Sequence, residues 1–271
     1  TIVRDMQINV RDCNNLPPEV ETPFEEICVV AGSVLFFPVR ATAPLDELNQ
    51  RVRLTALGGP FEVASDPAQF LPNDDSFIDD PNVKVFRWQT NCSHISDGYY
   101  SVVFKATDSY PTALSTLKTV RIKVVGPPPE DVVADPVPGA INVSWALPYV
   151  CDDVPNNYFQ GFTVWRRVGP SNFPIDTCTT GLEGKGYEKL TTFSTVQQAD
   201  GRYNYLDVDI IQGRTYCYRI VAEFARTTPG GYFAYNFVES LPSEEGCIRI
   251  RRDIPHTPQA DLLQTATDEG R

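Results

Sequence analysis

The stretch QGRTYCYRIVAEF, residues 212–224, constrains the fold of this chain more than any other feature of its sequence. Side chains of a β-strand point alternately to its two faces. One face of this strand therefore carries Tyr216, Tyr218, Ile220 and Ala222, and the other carries Cys217, Arg219 and Val221. An apolar face of this kind is typical of a strand in a β-sandwich. The cysteine points away from that core, so it needs a partner or another role.

The rest of the chain follows the same pattern. Runs rich in Val, Ile, Thr, Tyr and Phe recur and are bounded by Pro, Gly, Asn and Asp, whereas long segments with 3.6-residue apolar periodicity are missing. The 271 residues correspond to about two domains. These features predict an all-β chain of tandem β-sandwiches.

The charge balance excludes several partners. A net charge of −12 leaves no excess of Lys and Arg to neutralise phosphates, which argues against nucleic acid and anionic membrane surfaces. No apolar run approaches the roughly 18–20 residues of a membrane helix, so we expect no direct membrane insertion.

Seven cysteines are spread singly along the chain, with no CxxC motif and only two histidines. This arrangement argues against a structural zinc site and favours disulfides in an oxidising compartment. Free buried cysteines in a cytosolic protein remain the alternative. We expect the pairs Cys217–Cys247, Cys151–Cys178 and Cys28–Cys92, with Cys13 left over, although sequence alone does not fix the connectivity.

Three segments share the order of an alternating strand, a polar break and prolines: 5–21, 119–131 and 247–262. Their spacing indicates a tandem array of sandwiches. The predicted units are a last strand of a preceding module with its linker (1–17), a first module (18–126), a second module (127–253) and the start of a following module (254–271). We therefore expect the chain to be a piece of a longer polypeptide.

The second module resembles a fibronectin type III domain over residues 128–252. Trp145 in INVSW matches the core tryptophan of that family, and Tyr216 matches the tyrosine of the corner that precedes the sixth strand. The resemblance implies that the sixth and seventh strands are neighbours. It therefore implies a disulfide bond between Cys217 and Cys247 on the exposed face, and a second disulfide bond between the loops that carry Cys151 and Cys178.

The first module resembles the Ig-like, cadherin-like repeats of bacterial surface proteins. The segment 85–111 carries the matching pattern of its closing strands, namely Trp88, Thr90, Cys92, Tyr100, Val102, Phe104, Ala106 and Asp108. Together the two modules resemble large surface proteins of Bacteroidetes-type bacteria, which are associated with gliding motility and the type IX secretion system. That resemblance implies an extracellular, outer-membrane-associated location, with neighbouring modules of the same polypeptide as partners.

Two segments are candidate sites. Asp74, Asp75, Asp79 and Asp80 lie within seven residues, and such oxygen-rich clusters bind calcium. A solvated acidic loop explains the same residues, and Asp108 would add a ligand only if the sites met in space. The loop 225–240 carries Tyr232, Phe233, Tyr235 and Phe237, which would stack on sugar rings or enter a groove of a partner. The alternative is a long hairpin whose aromatic side chains pack against its own sheet or the next module.

No catalytic motif is present: G-x-S-x-G, H-E-x-x-H and a phosphate-binding glycine loop are all missing. We therefore expect no enzyme, no catalytic residue and no cofactor other than calcium. The leading hypothesis is a structural and adhesive module pair of a large surface protein. The alternatives are a protein- or glycan-binding module that acts through the 225–240 loop, and a component of the secretion machinery that recognises cargo through sandwich edges.

Overall fold

A computed structural model describes residues 15–44, 50–153, 158–171, 173–191, 197–199, 201–228 and 233–251. The predicted last strand of a preceding module, the predicted start of a following module at 254–271, and Cys13 lie outside these residues. Within them, the strands fall into two pairs of sheets.

The first pair of sheets forms the first module. Its strands are β1 (Glu19–Glu21), β2 (Glu26–Val30), β3 (Val34–Thr42), β4 (Arg51–Gly58), β5 (Gln69–Leu71), β6 (Ile78–Asp79), β7 (Asn82–Gln89), β8 (Tyr100–Asp108) and β9 (Ser115–Val125), with a short helix α1 (Gly59–Glu62) after β4. One sheet has the order β1-β3-β7-β5 and the other has the order β2-β9-β8-β4-β6. Strand β2 runs parallel to β9, and the other described pairs in this module are antiparallel.

Strict alternation along β3 and β7 produces the core of this module. Phe37 and Val39 of β3 point inward, as do Phe86 and Trp88 of β7, while every second residue of both strands faces solvent. Burial of each large apolar side chain contributes about 1.5–3 kcal/mol, which favours packing of the two sheets on this face. Across the core, Phe104 of β8 packs edge-to-face on Phe37 and Phe86.

The second pair of sheets forms the second module. Its strands are β10 (Val133–Val137), β11 (Ala140–Ala146), β12 (Phe159–Val168), β13 (Glu188–Lys189), β14 (Gln197–Ala199), β15 (Arg202–Asp207), β16 (Thr215–Thr227), β17 (Ala234–Glu239) and β18 (Gly246–Arg249). One sheet has the order β10-β11-β15-β14, and the other has the order β13-β12-β16-β17, with β18 also paired to β16. The described pairs are all antiparallel.

Two features expected from the fibronectin resemblance are confirmed. The Trp145 side chain is fully buried and packs against Phe162 and Tyr203. The hydroxyl of Tyr216 accepts a hydrogen bond of 2.8 Å from the backbone N–H of Ile211, which ties the turn before β16 to the strand itself.

The face of β16 that carries Cys217 is not exposed, contrary to the sequence prediction. Residues 173–191, the covering segment, fold over this face, and Leu182 and Tyr187 pack on Trp165 and Val221 as a second, smaller core. Cys217 is fully buried, whereas Cys247 is exposed. Its disulfide with Cys247 forms as predicted, because the two residues lie directly opposite each other on β16 and β18.

The other two predicted disulfide pairs are wrong, although all four cysteines are paired. Cys28 of β2 joins Cys178 of the covering segment, with Cα atoms 5.3 Å apart, and Cys92 after β7 joins Cys151 after β11, with Cα atoms 5.6 Å apart. Each bond therefore runs from the first module to the second. The prediction assumed that each disulfide bond forms within one module, whereas the loops of the two modules meet at their junction.

Noncovalent contacts also join the modules. The Tyr158 hydroxyl of the second module donates to the carbonyl of Ile95 in the first module, and the two cores merge into one continuous cluster of buried residues. Between the modules, the carbonyl of Gly126 accepts a hydrogen bond of 3.0 Å from the N–H of Leu241. A Cβ on Gly126 would lie 2.7 Å from a ring carbon of Phe224, so the connecting backbone needs glycine here.

The chain is therefore all-β and consists of tandem β-sandwiches of the Ig-like and fibronectin type III kind. Both sheet pairs pack face to face around alternating inward residues, as this class requires. Their junction is closed by two disulfides and a shared core.

Candidate binding surfaces

The aromatic segment predicted as a binding loop forms the end of a hairpin between β16 and β17. Phe233, Tyr235 and Phe237 are exposed by 73%, 44% and 55% respectively, and Tyr232 lies outside the described residues. Strand β17 is the edge of its sheet. The three described rings thus face solvent rather than packing against their own sheet, which is the surface that the binding hypothesis requires.

A β-bulge divides these rings between the two faces of the sheet. Arg226 pairs with Tyr235 and Phe224 pairs with Val238, so Ala225 faces two residues of β17, Asn236 and Phe237. Asn236 has φ 52°, in the left-handed region that asparagine tolerates better than most residues. Because directly paired residues share a face, Tyr235 lies on the face of Arg226. Phe237 lies on the opposite face.

The four aspartates predicted to bind calcium are not brought together. The Asp74 carboxylate lies 3.6 Å from Nζ of the buried Lys84. That of Asp80 accepts a hydrogen bond of 3.0 Å from the N–H of Ala43. Asp75 and Asp79 are exposed. Calcium binding by this segment stays a prediction, for which the structure provides no preformed cluster of carboxylates among the residues described.

Asp108, the further calcium ligand considered, has another role. Its buried carboxylate accepts hydrogen bonds from the side-chain amide of Asn15 at 2.8 Å and from the N–H groups of Tyr110 and Leu114 at 3.0 and 3.2 Å. Such donors satisfy a buried carboxylate without a metal. The aspartate thus anchors the polypeptide that enters the first module.

Among the described residues, three metal-ligating side chains lie close together at Cys217, Glu245 and Cys247. The two sulfurs are bonded to each other, so they cannot act as thiolate ligands. The Glu245 carboxylate already accepts hydrogen bonds from the Tyr187 hydroxyl and from the N–H of Ser171. This group is a structural link between the covering segment and the sheet.

His94, one of the two histidines, is also structural. Its Nδ1 accepts a hydrogen bond of 3.1 Å from the N–H of Asn91, and its Nε2 lies 2.8 Å from the carbonyl of Ser65. Burial lowers its pKa, although the Ser65 carbonyl and the charge of Asp66 oppose this change. The imidazole is thereby held neutral as a cap of the short helical turn at Cys92–His94.

Buried charge is concentrated around Arg166 in the second module. Its Nη1 donates to both carboxylate oxygens of Asp207, at 3.1 and 3.0 Å, and its Nη2 donates to Glu188 at 3.1 Å. Asp207 also accepts a hydrogen bond of 2.7 Å from the Tyr218 hydroxyl. The single guanidinium is shared by the carboxylates of Asp207 and Glu188, so this group holds β12, β13 and β15 together.

Sequence reasoning missed a cleft of about 380 Å³ at the junction of the modules. Ser96, Asp97 and Gly98 of the first module line one side of it, and the second module contributes Tyr158, Arg226, Asn236 and Val238. Asp97 and Arg226 lie about 130 residues apart in sequence, so no local pattern connects them. The only signal was the aromatic load of the neighbouring hairpin.

Comparisons with known proteins concern the fold alone. No protein-family profile and no curated protein matches the chain. Bovine butyrophilin aligns at 12% identity over 88% of this chain and all of its own, with a TM-score of 0.32. A segment of two fibronectin type III domains from chicken tenascin aligns at 14% identity over 86% of this chain and 98% of its own, with a TM-score of 0.35.

The sialic acid binding region of a Streptococcus sanguinis adhesin aligns at 11% identity over 88% of this chain and 78% of its own, with a TM-score of 0.34. At such low similarity, none of these proteins bears on the function of the chain. The fold assignment rests on the sheet topology described above.

Proposed function

We propose that this chain is a non-catalytic structural and adhesive module pair of a larger extracellular protein. The observation that carries the proposal is the pair of disulfides that crosses the junction, Cys28–Cys178 and Cys92–Cys151. Domains joined by a linker alone move relative to each other by default. Two covalent bonds together with a continuous core turn the modules into one rigid body, which suits a spacer that holds other domains at a fixed distance and angle.

The compartment follows from the redox state. Three disulfides in one folded chain indicate an oxidising environment, and hence an extracellular or secreted protein.

No helix among the described residues is both long and apolar enough to cross a lipid bilayer.

Rigidity is tested by small-angle scattering of the oxidised protein beside a variant in which Cys28, Cys92, Cys151 and Cys178 are all serine. The proposal expects one compact distance distribution for the wild type and a broader one for the variant. The matched control is the pair Cys217→Ser with Cys247→Ser, which removes the disulfide within the second module and should leave the distribution unchanged. Equal distributions for all three proteins would contradict the role assigned to the junction.

The proposed parent protein is a large bacterial surface protein that is associated with the outer membrane and with gliding motility or type IX secretion, either as cargo or as machinery. Support for this origin comes from the sequence resemblance of the two modules. An antibody against this 30.2 kDa chain, applied to whole and protease-shaved cells, tests it. A band far larger than the chain that shaving removes is expected, whereas an intracellular band of the size of the chain would refute the origin.

A second candidate function is protein or glycan binding through the aromatic hairpin, which the exposure of Phe233, Tyr235 and Phe237 favours. Substitution of Tyr232, Phe233 and Tyr235 by serine separates the two functions. A spacer keeps its stability and its behaviour on cells after these changes. A binding module loses ligand or cell attachment without unfolding.

A further inference from the structure

The cleft at the junction has walls from both modules, and its polar groups are varied. The first module contributes the hydroxyl of Ser96 and the carboxylate of Asp97, and the second contributes the guanidinium of Arg226 and the amide of Asn236. Ligand sites occur preferentially at domain interfaces, where a few polar groups converge. This set offers both hydrogen-bond donors and acceptors within one small volume.

Arg226 has a side-chain hydrogen bond with the Tyr158 hydroxyl, and its planar guanidinium has further N–H donors for a ligand. Among the described residues no carboxylate lies within ion-pair distance of its guanidinium, although it stands beside Tyr158. Burial raises the pKa of the Tyr158 hydroxyl, and the charge of Arg226 partly opposes that increase. The Asp97 side chain is 80% exposed, and within the described part of the chain its charged partner is Lys123 alone, at 3.9 Å. Both charged groups therefore keep donors or acceptors available.

An aromatic rim stands beside these groups. Tyr235 pairs directly with Arg226, so its exposed ring lies on the same face of the sheet, and Phe233 is two residues further toward the tip of the hairpin. Exposed aromatic rings stack on the apolar C–H faces of sugar rings while their edges stay hydrated. Phe237, on the opposite face, belongs to a different surface.

The junction also fixes the distance between the two walls. Cys92, which is bonded to Cys151, precedes Ser96 by four residues. The hydroxyl of Tyr158 donates to the carbonyl of Ile95, the residue next to Ser96. A site whose groups are held in place in the free protein loses less entropy when its ligand binds.

We propose that this cleft binds a saccharide, which gives the disulfide-fixed junction a second role. The mixture of donors and acceptors matches the hydroxyl groups of a sugar. An apolar ligand would bury polar side chains of the cleft without offering them partners. The proposal rests on the second candidate function above, since it uses Tyr235 and Phe233, and it adds the ligand class and the contribution of the first module.

The test is binding of the oxidised protein to an immobilised panel of defined neutral and acidic oligosaccharides, followed by calorimetric titration of the sugars that bind. Asp97→Asn and Arg226→Gln each remove one charged group of the cleft. Matched controls are Asp135→Asn on β10 and Arg87→Gln on β7, which are exposed residues of the same types away from the cleft. Thermal unfolding of all four variants confirms that they fold.

We expect at least one oligosaccharide to bind, and the cleft variants to weaken that binding by about tenfold or more, as the loss of a charged hydrogen-bond partner does. The control variants should bind like the wild type. Absence of binding to every member of the panel overturns the proposal.

The hairpin hypothesis and the cleft proposal fail in different ways. If Tyr235→Ser or Phe237→Ser abolishes binding while Asp97→Asn and Arg226→Gln do not, the hairpin binds sugar without the cleft, and the cleft proposal alone is wrong. If the cleft variants and Tyr235→Ser lose binding while Phe237→Ser keeps it, the cleft proposal is supported.

Discussion

Removal of the disulfide Cys92–Cys151 should destabilise both modules together. The two cysteines are 59 residues apart in sequence. A cross-link that closes a loop of this length lowers the conformational entropy of the unfolded chain, which is worth about 4 kcal/mol at 25 °C. The same calculation for the 30-residue separation of Cys217 and Cys247 gives about 3.5 kcal/mol. The two double serine variants should therefore lose similar amounts of unfolding free energy, and the difference between them lies in where the loss occurs.

Hydrogen exchange measured by mass spectrometry gives the protection of backbone amides in each of the two modules separately. In Cys92→Ser with Cys151→Ser, the slowest amides of β8 in the first module and of β16 in the second should lose protection in parallel, because the bond and the shared core couple the modules. Urea denaturation gives the total change in unfolding free energy. In Cys217→Ser with Cys247→Ser, the loss should be larger in β16 than in β8.

Two results would refute this reasoning. A loss below about 1 kcal/mol for Cys92→Ser with Cys151→Ser would show that the unfolded chain is not constrained as the loop length requires. A loss of protection confined to one module would show that the junction does not couple them, whatever the total change in stability.

Three further predictions concern the second module. Arg166→Met should cost about 3–5 kcal/mol of unfolding free energy, measured in urea, because it leaves Asp207 charged and buried; a cost below 1 kcal/mol would contradict this role. Tyr216→Phe should cost about 0.5–1.5 kcal/mol, since the N–H of Ile211 loses its acceptor but lies in an exposed residue that water reaches, and an unchanged urea midpoint would show that the corner does not matter for stability. Burial, with a hydrogen bond to a carboxylate, raises the pKa of Tyr203 from 10.0 to about 12. Because the folded state holds this proton more tightly, Tyr203 contributes fully to the unfolding free energy below pH 10, and this contribution is lost as the pH rises toward 12. Tyr203→Phe should therefore reduce the decrease of the unfolding free energy with pH in that range. An unchanged slope would exclude Tyr203 as the source of that decrease.

Local patterns predicted most of the fold. Alternation identified the strand around Tyr216 and its apolar face, and the motif that carries the Ig-like resemblance includes β8, where Phe104 is buried. The pairing of Cys217 with Cys247 followed from the expectation that their strands are neighbours. Each of these features depends on residues that are close in sequence or on one well-defined strand pairing.

The features that depend on docking between the modules could not be predicted from the sequence. Nothing local shows that residues 173–191 cover the second face of β16 or that Cys178 reaches β2. The bulge at Asn236 also could not be predicted from the sequence. A bulge does not show in the composition of an edge strand, although it moves Phe237 to the opposite face of the sheet. The binding cleft combines two modules, so it exists only once their relative position is known.

The connectivity of the disulfides has a consequence for how this chain is made. Synthesis and export proceed from the amino terminus, so Cys28 and Cys92 are available for oxidation before Cys151 and Cys178 emerge. Pairing in order of appearance would join Cys13 to Cys28, whereas Cys28 is bonded to Cys178 in the folded protein. Correct oxidation must therefore either wait until the second module has been delivered and docked, or pass through thiol–disulfide exchange. For this chain the cell has to supply a catalyst that reshuffles bonds, or a delay before it forms them.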